Sequence, residues 1–126
     1  MSDREQIEAG VRLYFDSMYE SSADKVKEAF HENAMITGYL HGSLGEMTVN
    51  DFADFVTAQQ PSPKEKGEEV LLEIVSCEIA GQTACVMVRD GYLGMTFLDT
   101  LSFLKVEGRW KIYNKLYHVE SENGHT

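Results

Sequence analysis

Three polar residues, Asp99, Asn114 and His118, interrupt the apolar face of the last two predicted strands. A two-residue turn at Glu107-Gly108 would join these strands and place Asp99 opposite Leu116. On that register Asn114 and His118 are diagonal neighbours of Asp99, with roughly 7–8 Å between backbones, which side chains or a ligand can bridge. The pattern therefore predicts a small polar cluster on a hydrophobic surface.

A carboxyl group in this setting can carry out acid–base chemistry. An unpaired carboxylate on an apolar face is costly to ionise, and a nearby histidine can exchange a proton with it. Asp99 and His118 are therefore the predicted catalytic pair of a lyase or isomerase, with Asn114 orienting a ligand carbonyl or hydroxyl. The alternative is structural, with Asp99 hydrogen-bonded to a tyrosine such as Tyr14 or Tyr39, or to a backbone amide.

Methionine and aromatic side chains along the predicted helices and strands could wall an adaptable apolar cavity. Periodicity does not separate a cavity wall from a solid core, because both are apolar on the same face. The residues predicted to bind a ligand are Tyr14, Tyr39, Met95, Phe97, Trp110 and Asn114, and further candidates for the wall are Met35, Met47, Met87, Phe52 and Phe55.

The opposite face of the last predicted strand is basic and aromatic. It carries Lys111, Tyr113, Lys115 and Tyr117. Such a surface suits solvent or a contact between two copies of the chain, since aromatic residues are enriched at protein interfaces.

Motifs for metals and cofactors are missing from the sequence. The chain has no histidine pair at helical spacing, no Cys-x-x-Cys, no Asp-rich calcium loop, no glycine-rich phosphate loop and no Gly-x-Ser-x-Gly motif. We therefore predict no metal site and no cofactor. His31, just after the second predicted helix, is expected to bond the last helix carbonyls, and His41 is expected to be exposed in a loop.

An amphipathic helix over residues 3–20, behind a Ser2–Glu5 capping box, is the first element that would position these residues. A second short helix follows, and Thr48 precedes a third. Helices on one side of a strongly curved antiparallel sheet predict an α+β fold with a conical space between helices and sheet. Strands are predicted over 34–40, 70–80, 83–90, 93–105 and 109–119, and residues 41–45 are a turn or a short irregular strand.

The two cysteines lie on adjacent predicted strands. A hairpin turn at Gly81-Gln82 places Cys77 opposite Val86 and turns Cys85 to the other face. A three-residue turn would instead place Cys77 opposite Cys85. We predict the two-residue turn, and hence two reduced thiols that are inert in the core.

Composition excludes several classes of function. The 126 residues suit one domain, predicted over residues 1–120 and followed by a polar tail over 121–126. A formal net charge of -10 disfavours nucleic acid and anionic lipid as partners. No apolar run approaches a membrane span, and the first residues are polar, so we predict a cytoplasmic location.

Five phrases of the sequence together resemble one known superfamily. They are residues 14–19 (Tyr-Phe-Asp-Ser-Met-Tyr), 30–34 (Phe-His-Glu-Asn-Ala), 52–56 (Phe-Ala-Asp-Phe-Val), 92–99 (Tyr-Leu-Gly-Met-Thr-Phe-Leu-Asp) and 103–112 (Phe-Leu-Lys-Val-Glu-Gly-Arg-Trp-Lys-Ile). These phrases resemble sequences of the nuclear transport factor 2-like superfamily, whose fold is also called the cystatin-like or cone fold. The branch resembled is that of small bacterial proteins labelled "putative lumazine-binding", related to a polyketide-cyclase-like group.

The resemblance implies a small-molecule pocket and a homodimer formed through the open face of the sheet. The superfamily includes dehydratases, isomerases, cyclases, ligand binders and association domains, so ligand and reaction stay open. Three hypotheses remain. The favoured one is a binding domain for an unknown small molecule, with its pocket between the helices and the curved sheet. The others are the lyase or isomerase that uses Asp99 and His118, and a non-catalytic dimeric association domain whose cone is filled by its own side chains.

Overall fold

The computed structural model describes residues 1–122 of the chain. The helices come first in the sequence and the long strands follow, which is the order of an α+β domain. Within the described residues the helices are α1 (Asp3–Tyr19), α2 (Ala23–Ala29) and α3 (Val49–Thr57), and the strands are β1 (Phe30–Leu40), β2 (Ser43–Thr48), β3 (Leu72–Ala80), β4 (Thr83–Tyr92), β5 (Met95–Val106) and β6 (Arg109–Glu122).

Helix α1 begins with the predicted capping box. The Ser2 hydroxyl accepts a hydrogen bond from the Glu5 amide at 3.1 Å, and Glu5 Oε1 accepts one from the Ser2 amide at 3.0 Å. Two backbone donors that a helix start would leave unpaired are thereby satisfied. The apolar stripe of α1 then faces the core, where its buried residues are Ile7, Val11, Tyr14, Phe15, Ser17 and Met18.

Helix α3 follows Thr48, as predicted, and begins with a second capping box. The Thr48 hydroxyl accepts from the Asp51 amide, and Asp51 Oδ2 accepts from the Thr48 amide, both at 3.1 Å. Phe52 and Val56 are buried, whereas Phe55 is half-buried. Helix α3 thus starts where β2 ends and turns its aromatic side chains toward the core.

The six strands form one sheet in the order β2-β1-β6-β5-β4-β3. Strands β1 and β6 pair in parallel, and the other neighbouring strands pair antiparallel. The three helices pack on one side of this curved, open sheet. The predicted α+β fold, with N-terminal helices on a curved and mostly antiparallel sheet, is confirmed.

Several predicted boundaries differ from the observed ones. Strand β1 begins at Phe30 rather than Ala34. Residues 43–48 form β2 paired to β1, whereas a turn or a short irregular strand was predicted over residues 41–45. The strand predicted over residues 93–105 begins only at Met95, because Leu93 and Gly94 both have positive φ and form a turn. Strand β6 continues to Glu122, so part of the predicted tail is strand. Residues 123–126, the rest of that tail, lie outside the described residues.

The β5–β6 hairpin has the turn predicted from the sequence. Glu107 and Gly108 have φ values of 51° and 79°, as a two-residue turn with both central residues left-handed requires. Val106 therefore pairs with Arg109, and Phe103 pairs with Ile112. Up to this point the predicted register of the hairpin is confirmed.

A β-bulge at Tyr113 then changes the register. Phe103 is opposite Ile112, but the next residue of β5, Ser102, is opposite Asn114, which leaves Tyr113 as an extra residue in β6. Because side chains alternate between the two faces of a strand, one extra residue moves the side chains of residues 114–119 to the other face. The predicted register beyond Ile112 is therefore wrong.

The bulge decides which residues of β6 reach the interior. Asp99 lies opposite Tyr117 rather than Leu116, and Leu101 lies opposite Lys115. Lys115 is buried and Tyr117 is half-buried, whereas Leu116 is half exposed to solvent. Lys115 and Tyr117, predicted to face solvent or a dimer partner, belong to the inner face instead.

The cysteines follow the predicted hairpin. Cys77 is opposite Val86 and Cys85 is opposite Glu78, so the two thiols point to different faces and both are free. Cys77 is half-buried, as expected of a thiol beside the core. Cys85 is exposed, which corrects its prediction as a core thiol.

Gly38 of β1 makes room for the inward-turned Tyr117. Gly38 is paired with Tyr117, and a Cβ atom at Gly38 would lie 2.4 Å from the Tyr117 carbonyl oxygen and 2.5 Å from its ring. A glycine at this position is what allows β1 and the ring of Tyr117 to approach each other.

We expect Gly38→Ala to lower the free energy of unfolding by about 2 kcal/mol, because the added methyl group overlaps backbone and ring atoms of Tyr117. Urea unfolding measures the change. The control Ser76→Ala, at an exposed position of β3, should change stability by less than about 0.5 kcal/mol. Equal stability of Gly38→Ala and the natural chain would contradict the observed packing of Tyr117.

Candidate functional site

An apolar cavity lies between helices α1 and α3 and the inner face of the sheet. Its volume is about 90 Å³, smaller than the roughly 300–1,000 Å³ of typical ligand pockets. A ligand that enters without rearrangement must therefore be small. The inner wall consists of the buried residues Met18, Ile36, Phe52, Asp90, Tyr92, Phe97 and Lys115, and the mouth consists of the half-buried or exposed residues Leu40, Met47, Phe55, Leu93 and Tyr117.

Asp90 and Asp99 form a carboxyl pair at this wall. They are diagonal neighbours on β4 and β5, since Val88 is opposite Asp99 and Asp90 is opposite Phe97. Both are buried, with 1% and 0% of their surface exposed. Burial, followed by the hydrogen bond to Asp99 and its charge, raises the pKa of Asp90 well above 3.8. The pair therefore keeps a proton under conditions in which isolated carboxyl groups have lost theirs.

Tyr14 of α1 orients this pair from the helix side. Its hydroxyl donates a hydrogen bond of 2.6 Å to Asp99 Oδ2. Burial, together with the negative charges of Asp90 and Asp99, raises the pKa of Tyr14 well above 10. Tyr14 therefore stays a donor, and the hydrogen bond between Tyr14 and Asp99, predicted as the structural alternative, is present.

Lys115, a buried residue, brings its amine to the same wall. Only 5% of the residue is exposed. Its Nζ lies 4.6 Å from the ring centroid of Tyr14, 4.7 Å from that of Phe52 and 5.7 Å from that of Tyr117. Within residues 1–122 this Nζ makes no hydrogen bond and no ion pair. Aromatic faces thus take the place of a carboxylate around the amine.

The raised pKa of Asp90 limits the charge that is buried in this cluster. Because Asp90 retains a proton more readily than an isolated carboxyl group, the pair does not bring two full negative charges into the core. The charge of Lys115 lowers the pKa of Asp90, although burial and Asp99 outweigh it. A smaller buried charge lowers the desolvation cost of placing these side chains in an apolar interior.

Three buried polar atoms at the cluster have no hydrogen-bond partner within the described residues. They are Asp90 Oδ2, Asp99 Oδ1 and the Tyr92 hydroxyl. A proton shared between the carboxyl groups can satisfy the two aspartates. Asp90 and Tyr92 also line the cavity, so a ligand there meets polar groups that the protein itself leaves unpaired.

The structure brings together only part of the predicted site. Asp99 and Tyr14 are in contact, and Phe97 lines the cavity. His118 is opposite Leu98, exposed and on the other face of the sheet from Asp99. Asn114 is half-buried and shares that outer side with His118, because both follow the bulge. Asp99 and His118 are therefore not an interacting pair.

Three further predicted ligand contacts lie away from the cavity wall. Tyr39 is 64% exposed. Trp110 is at the other end of the sheet, where its indole Nε1 donates to Asp3 Oδ1 at 3.0 Å. Met95 is buried but does not line the cavity. Of the other methionine and aromatic candidates, Met47, Phe52 and Phe55 line the cavity, whereas Met35 and Met87 do not.

The other two histidines within the described residues lie outside this cavity. His31 is in β1 rather than at a helix end, where its Nδ1 accepts a hydrogen bond from the Asn33 amide and its ring stacks near Tyr113. The predicted bond from His31 to helix carbonyls is therefore not formed. His41 is exposed in the β1–β2 turn, as expected.

Sequence reasoning missed two of the most informative residues. The burial of Asp90 could have been predicted from its position in β4. It lies on the same face as Val86, Val88 and Tyr92, because every second residue of a strand points the same way. Lys115 had no such signal. Its inward direction follows from the bulge at Tyr113, and no residue type in β6 predicts that bulge.

Comparison with known proteins gives the family. The family model described as "Putative lumazine-binding" matches residues 2–118. The chain belongs to this family. Among curated proteins, the aldolase FrzH of a Cladobotryum species is 23% identical over 117 residues, which are 93% of this chain and 91% of that protein.

Solved structures of other members of the superfamily share the fold of this lumazine-binding-family chain. An NTF2-like protein of unknown function from Silicibacter pomeroyi has 23% identity and a TM-score of 0.84, covering 95% of this chain and 100% of that one. Another from Methylobacillus flagellatus has 25% identity and a TM-score of 0.82, covering 94% and 93%. The predicted superfamily and branch are confirmed.

Residues 1–122 contain neither a membrane-spanning helix nor a cluster of metal-binding side chains. No helix there has both the length and the apolar character to cross a bilayer. No group of three or more histidine, cysteine, aspartate or glutamate side chains in that range is placed to hold a metal ion.

We expect Asp90→Asn to change how stability depends on pH. Because the pKa of Asp90 is raised in the folded protein, its protonation favours folding below pH 3.8, and this contribution is lost as the pH rises through the raised pKa. The asparagine variant lacks this loss. Its free energy of unfolding, relative to that of the natural chain, should therefore increase with pH by up to about 1.4 kcal/mol per pH unit.

Urea unfolding at several pH values between about 4 and 8 measures this difference. Asp54→Asn, at an exposed position of α3, is the matched control and should give a difference that does not vary with pH. A constant difference for Asp90→Asn as well would show that Asp90 is ionised in the folded protein.

Proposed function

We propose that the protein binds a small organic molecule in the cavity, through a carbonyl-bearing polar edge. The observation that carries this proposal is the amine of Lys115, which lies at the cavity wall without a hydrogen bond or an ion pair from residues 1–122. An amine on an apolar wall gains a charge-assisted hydrogen bond when a bound molecule supplies an acceptor. A carbonyl or carboxylate oxygen is such an acceptor.

The other polar groups at the wall support the same ligand chemistry. Protonated Asp90 can donate a hydrogen bond, and the hydroxyl of Tyr92 can donate or accept one. Both have polar atoms without protein partners in the described residues. The remaining wall is apolar and aromatic, with Phe52 and Phe97 on two sides. A planar, partly apolar ligand with polar atoms along one edge fits this distribution.

A lyase or isomerase remains the second candidate. Asp90 would then be the acid–base partner of Asp99, the role predicted from the sequence for His118. Two buried carboxyl groups that share a proton can take up and release that proton at a ligand. The aldolase of Cladobotryum is a relative whose name states a carbon–carbon lyase activity. Asp99, held by Tyr14, would then keep Asp90 in its protonated form.

We expect lumazine, after which the family is named, to bind at the mouth of the cavity with its polar edge directed inward, because its two fused rings are larger than the interior volume of about 90 Å³. Its ring carbonyls can accept from Lys115. Titration followed by NMR should shift amide signals of cavity residues such as Lys115 and Tyr92. In calorimetry, Lys115→Met should weaken binding at least about tenfold, because a hydrogen bond to a charged group is lost.

Lys64→Met, at an exposed lysine outside the cavity, is the control and should bind lumazine as the natural chain does. The proposal fails if millimolar lumazine moves no signal of the cavity, or if its signals move equally in the Lys115→Met variant.

A homodimer formed through the outer face of the sheet is proposed for the assembly. Apolar side chains are exposed there on neighbouring strands, with Met35 at 38%, Tyr39 at 64% and Leu116 at 50%. Leu44 of β2 is paired with Tyr39 and is 53% exposed. Water would be excluded from this patch if two sheets packed face to face.

We expect the natural chain to run as a dimer in light scattering at micromolar concentration, and Leu116→Lys to run as a monomer, because a buried unpaired charge opposes the contact. Val70→Lys, at a position that is 46% exposed before β3, should leave the dimer intact. A natural chain that is monomeric throughout would exclude this assembly.

A reducing compartment such as the cytoplasm is the proposed location. Cys77 and Cys85 point to opposite faces of adjacent strands, so they cannot pair with each other. Nucleic acid and anionic membranes are not proposed as partners, because the net charge of -10 would repel them.

A further inference from the structure

Lys115 has the surroundings of a reactive amine as well as those of a binding group. It lies on the wall of the cavity, and its Nζ is next to the rings of Phe52 and Tyr117, which line the same cavity. Within residues 1–122 no carboxylate forms an ion pair with it. A molecule in the cavity therefore reaches the nitrogen without displacing a protein partner.

A proton carrier lies on the same wall. Asp90 lines the cavity, and its pairing with Asp99 keeps a proton on the two carboxyl groups. Tyr14 fixes Asp99 through the 2.6 Å hydrogen bond. The addition of an amine to a carbonyl needs such a group, because the carbonyl oxygen must be protonated and then lost as water.

We propose that Lys115 forms an imine with an aldehyde or ketone bound in this cavity, and that Asp90 carries the protons of the reaction. The inference rests on the proposed function, and it makes the class of ligand more specific. Nucleophilic lysines in other enzymes react with carbonyl substrates in this way.

The imine forms by addition of the amine to the carbonyl group and loss of water. Lys115 reacts as the neutral amine, after its proton has passed to the carboxyl pair. The nitrogen lone pair forms a bond to the carbonyl carbon, and the oxygen takes a proton from Asp90. Asp90 then recovers a proton from the nitrogen and returns it to the hydroxyl group, which leaves as water. The carbon–nitrogen double bond forms, and the protonated imine remains beside the carboxyl pair, which again holds a single proton.

The aromatic rings around Lys115 suit the product. The protonated imine has the same positive charge as the lysine ammonium, so the faces of Tyr14, Phe52 and Tyr117 stabilise it in the same way. Its electron-poor carbon weakens the neighbouring C–H and C–C bonds. Loss of a proton to the carboxyl pair, or cleavage of a carbon–carbon bond, is the chemistry that an aldol or retro-aldol reaction requires.

Acetylacetone is the probe for this amine. Its imine rearranges to a conjugated enaminone that absorbs in the near ultraviolet. The adduct increases the mass of the protein by the mass of the probe minus that of one water molecule. We expect one adduct per chain, mapped to Lys115 by peptide mass spectrometry, with no adduct at the exposed Lys64 under the same conditions. Lys115→Met and Lys115→Arg should both lose the absorption band. Lys115→Arg retains the positive charge, so it tests the proposal even if the methionine variant folds poorly.

Asp90→Asn should slow formation of the adduct at least about tenfold without moving it to another lysine, since general acid–base catalysis contributes about 10²–10⁴-fold. Lumazine binding to the natural chain, measured in parallel, separates the two proposals. Lumazine binding without an adduct at Lys115 overturns the imine and leaves the binding cavity in place. Neither binding nor adduct overturns both, and adducts spread evenly over surface lysines also overturn the imine.

Discussion

Burial of charge is the constraint on which the interior of this protein depends. Asp90, Asp99 and Lys115 all lie in a core made mostly of aliphatic and aromatic side chains. Isolated charges could not remain there, because desolvation would outweigh any local attraction. The raised pKa of Asp90 favours its protonated form, so the carboxyl pair does not bring two full negative charges into the core. Tyr14 then fixes the position of Asp99 from the opposite layer.

This cluster also connects the two layers of the fold. Tyr14 comes from α1, Asp90 and Asp99 from β4 and β5, and Lys115 from β6. Each group affects the others, since Asp99 raises the pKa of Asp90, Lys115 lowers it, and both carboxyl groups raise the pKa of Tyr14. The helix and three strands therefore share one electrostatic unit, and the cavity is the place where that unit meets a ligand.

The relation between family and function is looser than that between family and fold. Structures from Silicibacter pomeroyi and Methylobacillus flagellatus superpose closely on this chain although their functions are unknown. The Cladobotryum relative is named as an aldolase at 23% identity. A scaffold of helices on a curved sheet can hold many sites, so the chemistry has to be argued from the side chains at the wall. Here those side chains are a buried amine and a proton-sharing carboxyl pair.

The sequence by itself determined the α+β architecture, the capping box at Ser2, the start of a helix after Thr48, the turn at Glu107-Gly108 and the burial of Asp99. These depend on local spacing, turn residues and apolar alternation, which a single chain displays. The strand β2 was predicted only as a turn or an irregular strand, because its burial pattern is weak and its pairing with β1 defines it.

Only the tertiary structure decided which residues surround Asp99. One extra residue at Tyr113 replaced Asn114 and His118 on the inner face by Lys115 and Tyr117. Both faces of β6 carry polar and aromatic residues, so the alternating pattern did not favour either register. The bulge depends on how β6 pairs simultaneously with β5 and β1. Such non-local pairing cannot be predicted from the order of residues along one strand.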